Sequence, residues 1–198
     1  MRISFRPDSK GIGILINSTS MTGSTSYELT KLSSDPKQFL YGFATPSGNF
    51  KIVEHSLIET RDDRKVYNLG FGDYNAETGQ VIDDEVFNRG DGRIILNTVL
   101  STIPLFFDKN PMDALIVQGS DSRDDFPEKC RLTCIKRCTD NCRKQHQRIR
   151  IYCNFLDKNF SSLVKNYIFF GLSESKELDF EQYIPGNSYK GVLIYRKK

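Results

Sequence analysis

Short apolar blocks separated by turn residues run through the first third of the chain, and longer periodic stretches follow. Residues 11–17 read as a short buried strand. Residues 18–34 hold ten Ser or Thr, with Gly23 and few apolar positions, and read as a Ser/Thr-rich loop or a pair of irregular strands. Two aromatic-rich runs, Phe39–Phe43 and Phe50–Val53, flank Thr45-Pro-Ser-Gly-Asn49, so a hairpin is expected there. The alternation over 65–74 predicts a strand whose Tyr67/Leu69/Phe71 face ends in Asp73.

Helical spacing begins at Gly92. Ile95, Val99 and Ile103, with Leu96 and Leu100, form an i, i+4, i+8 stripe behind Asp91 as N-cap, and Pro104 is expected to kink or end the helix. Residues 113–118 predict a buried strand. Pro127 suits the first turn of a long basic helix running to about His146. Residues 149–156 alternate again and read as a strand with Arg148, Arg150, Tyr152 and Asn154 on its wet face. A short helix at 160–165 and strands at 167–171 and 190–196 complete the expectation.

Strands and helices in this order predict an α+β (or α/β) fold. The expected form is a single domain, 1–198, with a mixed, mainly antiparallel sheet and two principal helices, about 92–103 and 127–146. The 198 residues include nine Tyr and fourteen Phe, enough aromatic mass for a packed core and too much for a disordered tail. No apolar run approaches the roughly 20 residues of a membrane-spanning helix, and no apolar leader of the usual length opens the chain. The default location is therefore cytoplasmic, with no membrane partner.

The net charge of +3 hides a local concentration. Residues 129–150 carry eight basic side chains and one acid, Asp140, so the segment is +7 and the remaining 176 residues sum to −4. Concentrated basicity is the footprint of a polyanion surface, or else a solvated helix face. The candidate nucleic-acid contacts are Arg123, Lys136, Arg137, Arg143, Lys144, Arg148, Arg150 and Tyr152, the last as a stacking platform for an unpaired base.

Cys130, Cys134, Cys138 and Cys142 recur every fourth residue inside the same segment, and Cys153 follows. On an unbroken helix the ladder climbs about 18 Å, so four thiolates cannot close round one zinc ion, and a stripe of small buried side chains is the default. A metal site requires a break, for which Thr139-Asp140-Asn141, weak helix formers, offer a place. No metal ligand is assigned, and no cofactor is required, although Mg²⁺ and Zn²⁺ both remain compatible.

Chemistry has two candidate sets. Asp73, Asp91 and Asp121 stand at predicted strand ends or helix starts and would bind Mg²⁺ for phosphodiester hydrolysis if they converged. His146, Arg148 and Arg150 would supply a proton-transfer group and two cations for metal-free phosphoryl chemistry. Gly119–Arg123 follows a buried strand, where a backbone phosphate cradle completed by Arg123 competes with four nearby carboxylates that favour a helix dipole. The chain has no Walker-type Gly-Lys-Ser/Thr and no His-x-Glu pair, and two histidines exclude a His-rich centre.

Phe71-Gly-Asp-Tyr74, Asn88-x-Gly-Asp91 and Val117-Gln-Gly-Ser-Asp-Ser122 resemble an uncharacterised bacterial domain family of Bacteroidetes type, over roughly 66–196. That resemblance implies a small intracellular protein of a mobile or defence-related locus and assigns no catalytic residue. The first expectation is thus a nucleic-acid-binding protein (RNA or single-stranded DNA), with a toxin- or defence-type nuclease as its enzymatic form. A non-catalytic module docking an acidic protein partner and a Cys-based metal or redox sensor are the alternatives.

Overall fold

Pro46 and Gly48 set the hairpin at 45–49: the Thr45 N–H bonds the Asn49 carbonyl at 2.9 Å, the Gly48 N–H bonds the Thr45 carbonyl at 2.9 Å, and Gly48 takes φ 84°. The structure, a computed structural model, describes residues 14–16, 25–61, 63–78, 80–82, 90–132, 134, 138, 142–173 and 180–198. The chain divides into two compact units, 1–113 and 114–198.

The first unit is an antiparallel meander taken in chain order: β1 (Ile14–Ile16), β2 (Leu29–Asp35), β3 (Gln38–Ala44), β4 (Phe50–Arg61), β5 (Arg64–Asn75) and β6 (Gln80–Ile82). The expected hairpin is β3–β4, and the expected strand at 65–74 is β5. Part of the Ser/Thr-rich stretch is strand rather than loop, since β2 begins at Leu29; residues 18–24 lie outside the described residues.

Helix α1 (Gly92–Lys109) covers this meander, burying Ile95, Val99, Ile103, Phe106 and Phe107. It does not stop at Pro104. Proline inside a helix costs about 3 kcal/mol, whereas burying two phenylalanines returns about 1.5–3 kcal/mol each, so continuing to Phe106 and Phe107 wins. Phe106 is the hub of an aromatic cluster, with ring centroids 4.9 Å from Tyr67, 5.3 Å from His55 and 5.9 Å from Phe39. Asp91 stands before α1 but makes no side-chain cap.

The second unit holds β7 (Ala114–Gln118), α2 (Phe126–Arg131), α3 (Gln147–Leu163), β8 (Tyr167–Leu172), β9 (Phe180–Gln182) and β10 (Gly191–Arg196). Its strands are antiparallel in the order β7-β10-β8-β9. Leu115, Val117, Phe169, Val192 and Ile194 share the sheet face on which Phe160 of α3 meets Phe169 at 6.1 Å.

Two expectations fail here. The long basic helix over 127–146 is only α2, ending at Arg131, and the strand expected at 149–156 is the first half of α3. Ile149, Ile151, Cys153 and Phe155 do alternate, but the buried set is Ile149, Cys153, Leu156 and Leu163, which follows the helical period, and Ile151 is 37% exposed. The eight-residue window was too short to separate the two periods; seventeen residues decide for the helix. With strands dominating and helices on the sheet, the class is α+β, carried by three helices rather than two. No helix among the described residues is long and apolar enough to cross a membrane.

Candidate functional site

Beyond β7 the chain makes a tight 3₁₀ turn at Ser120–Ser122, closed by the Ser122 N–H on the Gly119 carbonyl at 2.9 Å. Gly119 lets this turn press against the start of α3: a Cβ there would lie 2.3 Å from Asp121 Oδ1, 3.1 Å from Arg148 Cβ and 3.2 Å from the Ile149 nitrogen. Asp121 is 4% exposed, and its Oδ2 accepts the Arg148 backbone N–H at 2.9 Å. Its own carbonyl accepts the His146 N–H at 3.2 Å.

The carboxylate therefore caps α3 from a distant part of the chain. Helix α3 needs such a partner, because its N-cap residue, His146, makes no side-chain cap and sits at φ 59°, a left-handed conformation unusual for a non-glycine residue. Burial raises the Asp121 pKa, opposed by the amides of Arg148 and Gln147 and by the charge of His146. Five buried side-chain polar atoms among the described residues lack a hydrogen-bond partner, and three of them meet here: Asp121 Oδ1, Ser122 Oγ and His146 Nδ1.

Around this junction stand the cations. Arg143 and Arg150 are exposed, Lys144 and Arg148 half-buried. The Arg150 guanidinium folds back, donating from Nε to the His146 carbonyl at 3.2 Å and from Nη2 to the Gln145 carbonyl at 3.3 Å. Burial lowers the Arg148 pKa, and nearby Tyr152 opposes that shift. Tyr152 is not on a wet strand face: burial pushes its phenol well above the ordinary range, and Arg148 and Asp121 are its charged neighbours. A phenol withdrawn from water in this way presents no face for base stacking.

The other expected residues lie apart from this group or are already engaged. Arg123 pairs with Asp125, Nε to Oδ1 at 3.3 Å, and Lys129 shares that carboxylate, which holds Asp125 below the usual range. Arg123 is thus occupied by a carboxylate, and α2 is too short to present a phosphate cradle. Asp73 pairs with Lys51 at 2.6 Å across β4 and β5, and Asp91 accepts the Tyr27 hydroxyl at 3.1 Å. Lys136 and Arg137 lie outside the described residues. Among the described residues, no group of three His, Cys, Asp or Glu is arranged to hold a metal ion.

The Cys ladder is not a helical stripe. Only Cys130 lies in α2, and Cys134, Cys138 and Cys142 follow outside helix, so the 18 Å argument against convergence does not apply. Cys130 is buried, and burial together with the neighbouring thiols of Cys142 and Cys134 pushes its own thiol up to about 11. Cys138 Sγ accepts the Arg143 N–H at 3.4 Å. All five cysteines are free thiols.

The sequence reading placed Asp121, His146, Arg148 and Arg150 in two separate chemical sets, and the structure gathers them at one helix start. What it missed was the capping relation. The buried period Ile149, Cys153, Leu156, Leu163 would have shown α3, and a helix whose first residues are cationic calls for a carboxylate from elsewhere.

Residues 24–126 match the model of a family of unknown function, DUF6934, and since this is more than half of the chain, the chain belongs to that family. The match begins well before residue 66, where the resemblance was first placed, and ends within α2. No curated protein and no solved structure matches the chain.

Proposed function

We propose that this member of a family without an assigned activity binds nucleic acid through phosphate contacts at the cationic start of α3, formed by Arg143, Lys144, Arg148 and Arg150. One observation carries the reading. Cations crowd the positive end of a seventeen-residue helix, and among the described residues Arg143, Lys144 and Arg150 have no carboxylate partner. Each cation at a helix N-terminus is unfavourable by about 0.3–1 kcal/mol, and mutual repulsion adds to it. Asp121 offsets one charge only. A docked phosphate backbone relieves the rest, which favours a polyanion over a neutral ligand.

The test is binding to fluorescent single-stranded RNA and DNA across salt. Four phosphate contacts on a single strand give a log–log slope near −2.8, or roughly a 50-fold loss of affinity from 50 to 200 mM salt. Arg143→Ala with Lys144→Ala is expected to flatten that slope by about 1.4. Absence of binding at 50 mM salt overturns the proposal, and equal competition by poly-glutamate turns the site into a dock for an acidic protein. Cleavage is the second arm of this reading. His146 beside Arg148 and Arg150 is the group placed for metal-free phosphoryl transfer, so RNA turnover that survives EDTA and falls in His146→Gln supports it.

A further inference from the structure

The four cysteines between α2 and α3 play no part in phosphate binding, yet they are the most concentrated reactive groups in the molecule. Cys130 ends a short helix with its thiol buried, and the chain then leaves helical geometry and returns to bring Cys142 and Cys134 beside it. Cys142 is half-buried, directly before Arg143 and Lys144, and its carbonyl accepts the Gln145 N–H at 3.1 Å, which ties it to the turn leading into α3. Cys138 is engaged by the Arg143 amide. Cys153 is buried in α3, where Tyr183 donates to its carbonyl at 3.4 Å.

We infer that Cys142 and Cys130 form a peroxide-responsive pair that closes as an intrachain disulfide. Cys142 is the attacking sulfur, because it reaches solvent and has two cationic neighbours in sequence that favour its thiolate. Its thiolate attacks one oxygen of hydrogen peroxide, the O–O bond breaks, and Cys142 sulfenic acid and hydroxide form. The Cys130 sulfur, giving up its proton, then attacks the Cys142 sulfur and expels hydroxide. In sum, two thiols and one peroxide give one disulfide and two waters. The new bond ties the end of α2 to the turn that carries Arg143 and Lys144. Cys142, rather than Cys134, is assigned as the partner because it weighs more heavily on the Cys130 thiol.

The experiment uses the full chain, freed of reductant, treated with hydrogen peroxide, alkylated and mapped without reduction. A Cys130–Cys142 cross-linked peptide in monomeric protein, with Cys138 and Cys153 still alkylated, is expected in most chains. In Cys130→Ser, dimedone should trap a sulfenic acid on Cys142; in Cys142→Ser, Cys130 should stay reduced. The wild-type map stands even if the buried Cys130→Ser variant folds poorly. Intermolecular dimers, a Cys130–Cys134 bond alone, or stoichiometric zinc that shields the four thiols from alkylation would each overturn the inference. Nucleic-acid affinity is not the readout, so this result and that of the phosphate-binding test are independent.

Discussion

At the scale of single residues, the most demanding side chain is His55. It is fully buried, with its ring against Tyr41 and Phe106, and its Nε2 lies 2.9 Å from Thr102 Oγ1. Thr102 spends its own hydrogen on the Val99 carbonyl at 2.7 Å, so its oxygen must accept, and the ring proton sits on Nε2. Nδ1 then carries a lone pair with no partner among the described residues. Burial lowers the pKa from 6.5 to about 3. A depressed histidine pKa means that the unfolded chain takes up the proton first. The contribution is complete above about pH 6.5 and is lost as pH falls from there toward 3. Between pH 7 and pH 4 the loss is about 3 kcal/mol. Urea unfolding at the two pH values should show it in the wild type. His55→Leu should remove that part of the difference, and an unchanged difference in the variant would assign the acid sensitivity to carboxylates.

At the scale of elements, α3 decides how the second unit is built, and one pair of substitutions tests it. A strand over 149–156 would bury Ile149 and Ile151 alike; the helix buries Ile149 completely and leaves Ile151 37% exposed. Ile149→Ala is therefore expected to destabilise by about 2–4 kcal/mol and Ile151→Ala by less than about 1 kcal/mol. Equal losses in denaturant unfolding would restore the strand. The elements legible in the sequence were those with one dominant local signal: the β3–β4 hairpin with its Pro-Ser-Gly turn, β5, the stripe of α1, β7 and β10. Those misread were decided by distant contacts. Phe106 and Phe107 carry α1 past Pro104, and the Asp121 carboxylate starts α3 just after the cationic stretch that had read as helix. In the candidate site, the residue types could be read from charge and spacing, but the capping that gathers them spans residues 121 to 148, beyond the reach of local periodicity.

At the scale of the whole molecule, charge is divided along the chain. Residues 1–113 carry 12 basic against 15 acidic side chains, and residues 114–198 carry 16 against 10, so a net +3 is −3 in the first unit and +6 in the second. A polyanion approaching such a chain is attracted by one unit and repelled by the other, so affinity should depend on where a cation is removed and not merely on how many are removed. Arg61 and Lys65 are exposed on β4 and β5 of the first unit, and serve as the matched control for Arg143 and Lys144. Both double alanine variants lower the net charge by two, so a purely global attraction would weaken equally in each. Contact at the start of α3 predicts that Arg61→Ala with Lys65→Ala stays within about twofold of the wild type at 100 mM salt, while Arg143→Ala with Lys144→Ala loses at least tenfold, since two phosphate contacts are worth more than long-range charge beyond a Debye length of about 10 Å. Parallel binding curves on the same single-stranded RNA make the comparison. Equal losses would leave only net charge at work, and a greater loss from the first pair would move the contact surface to the meander.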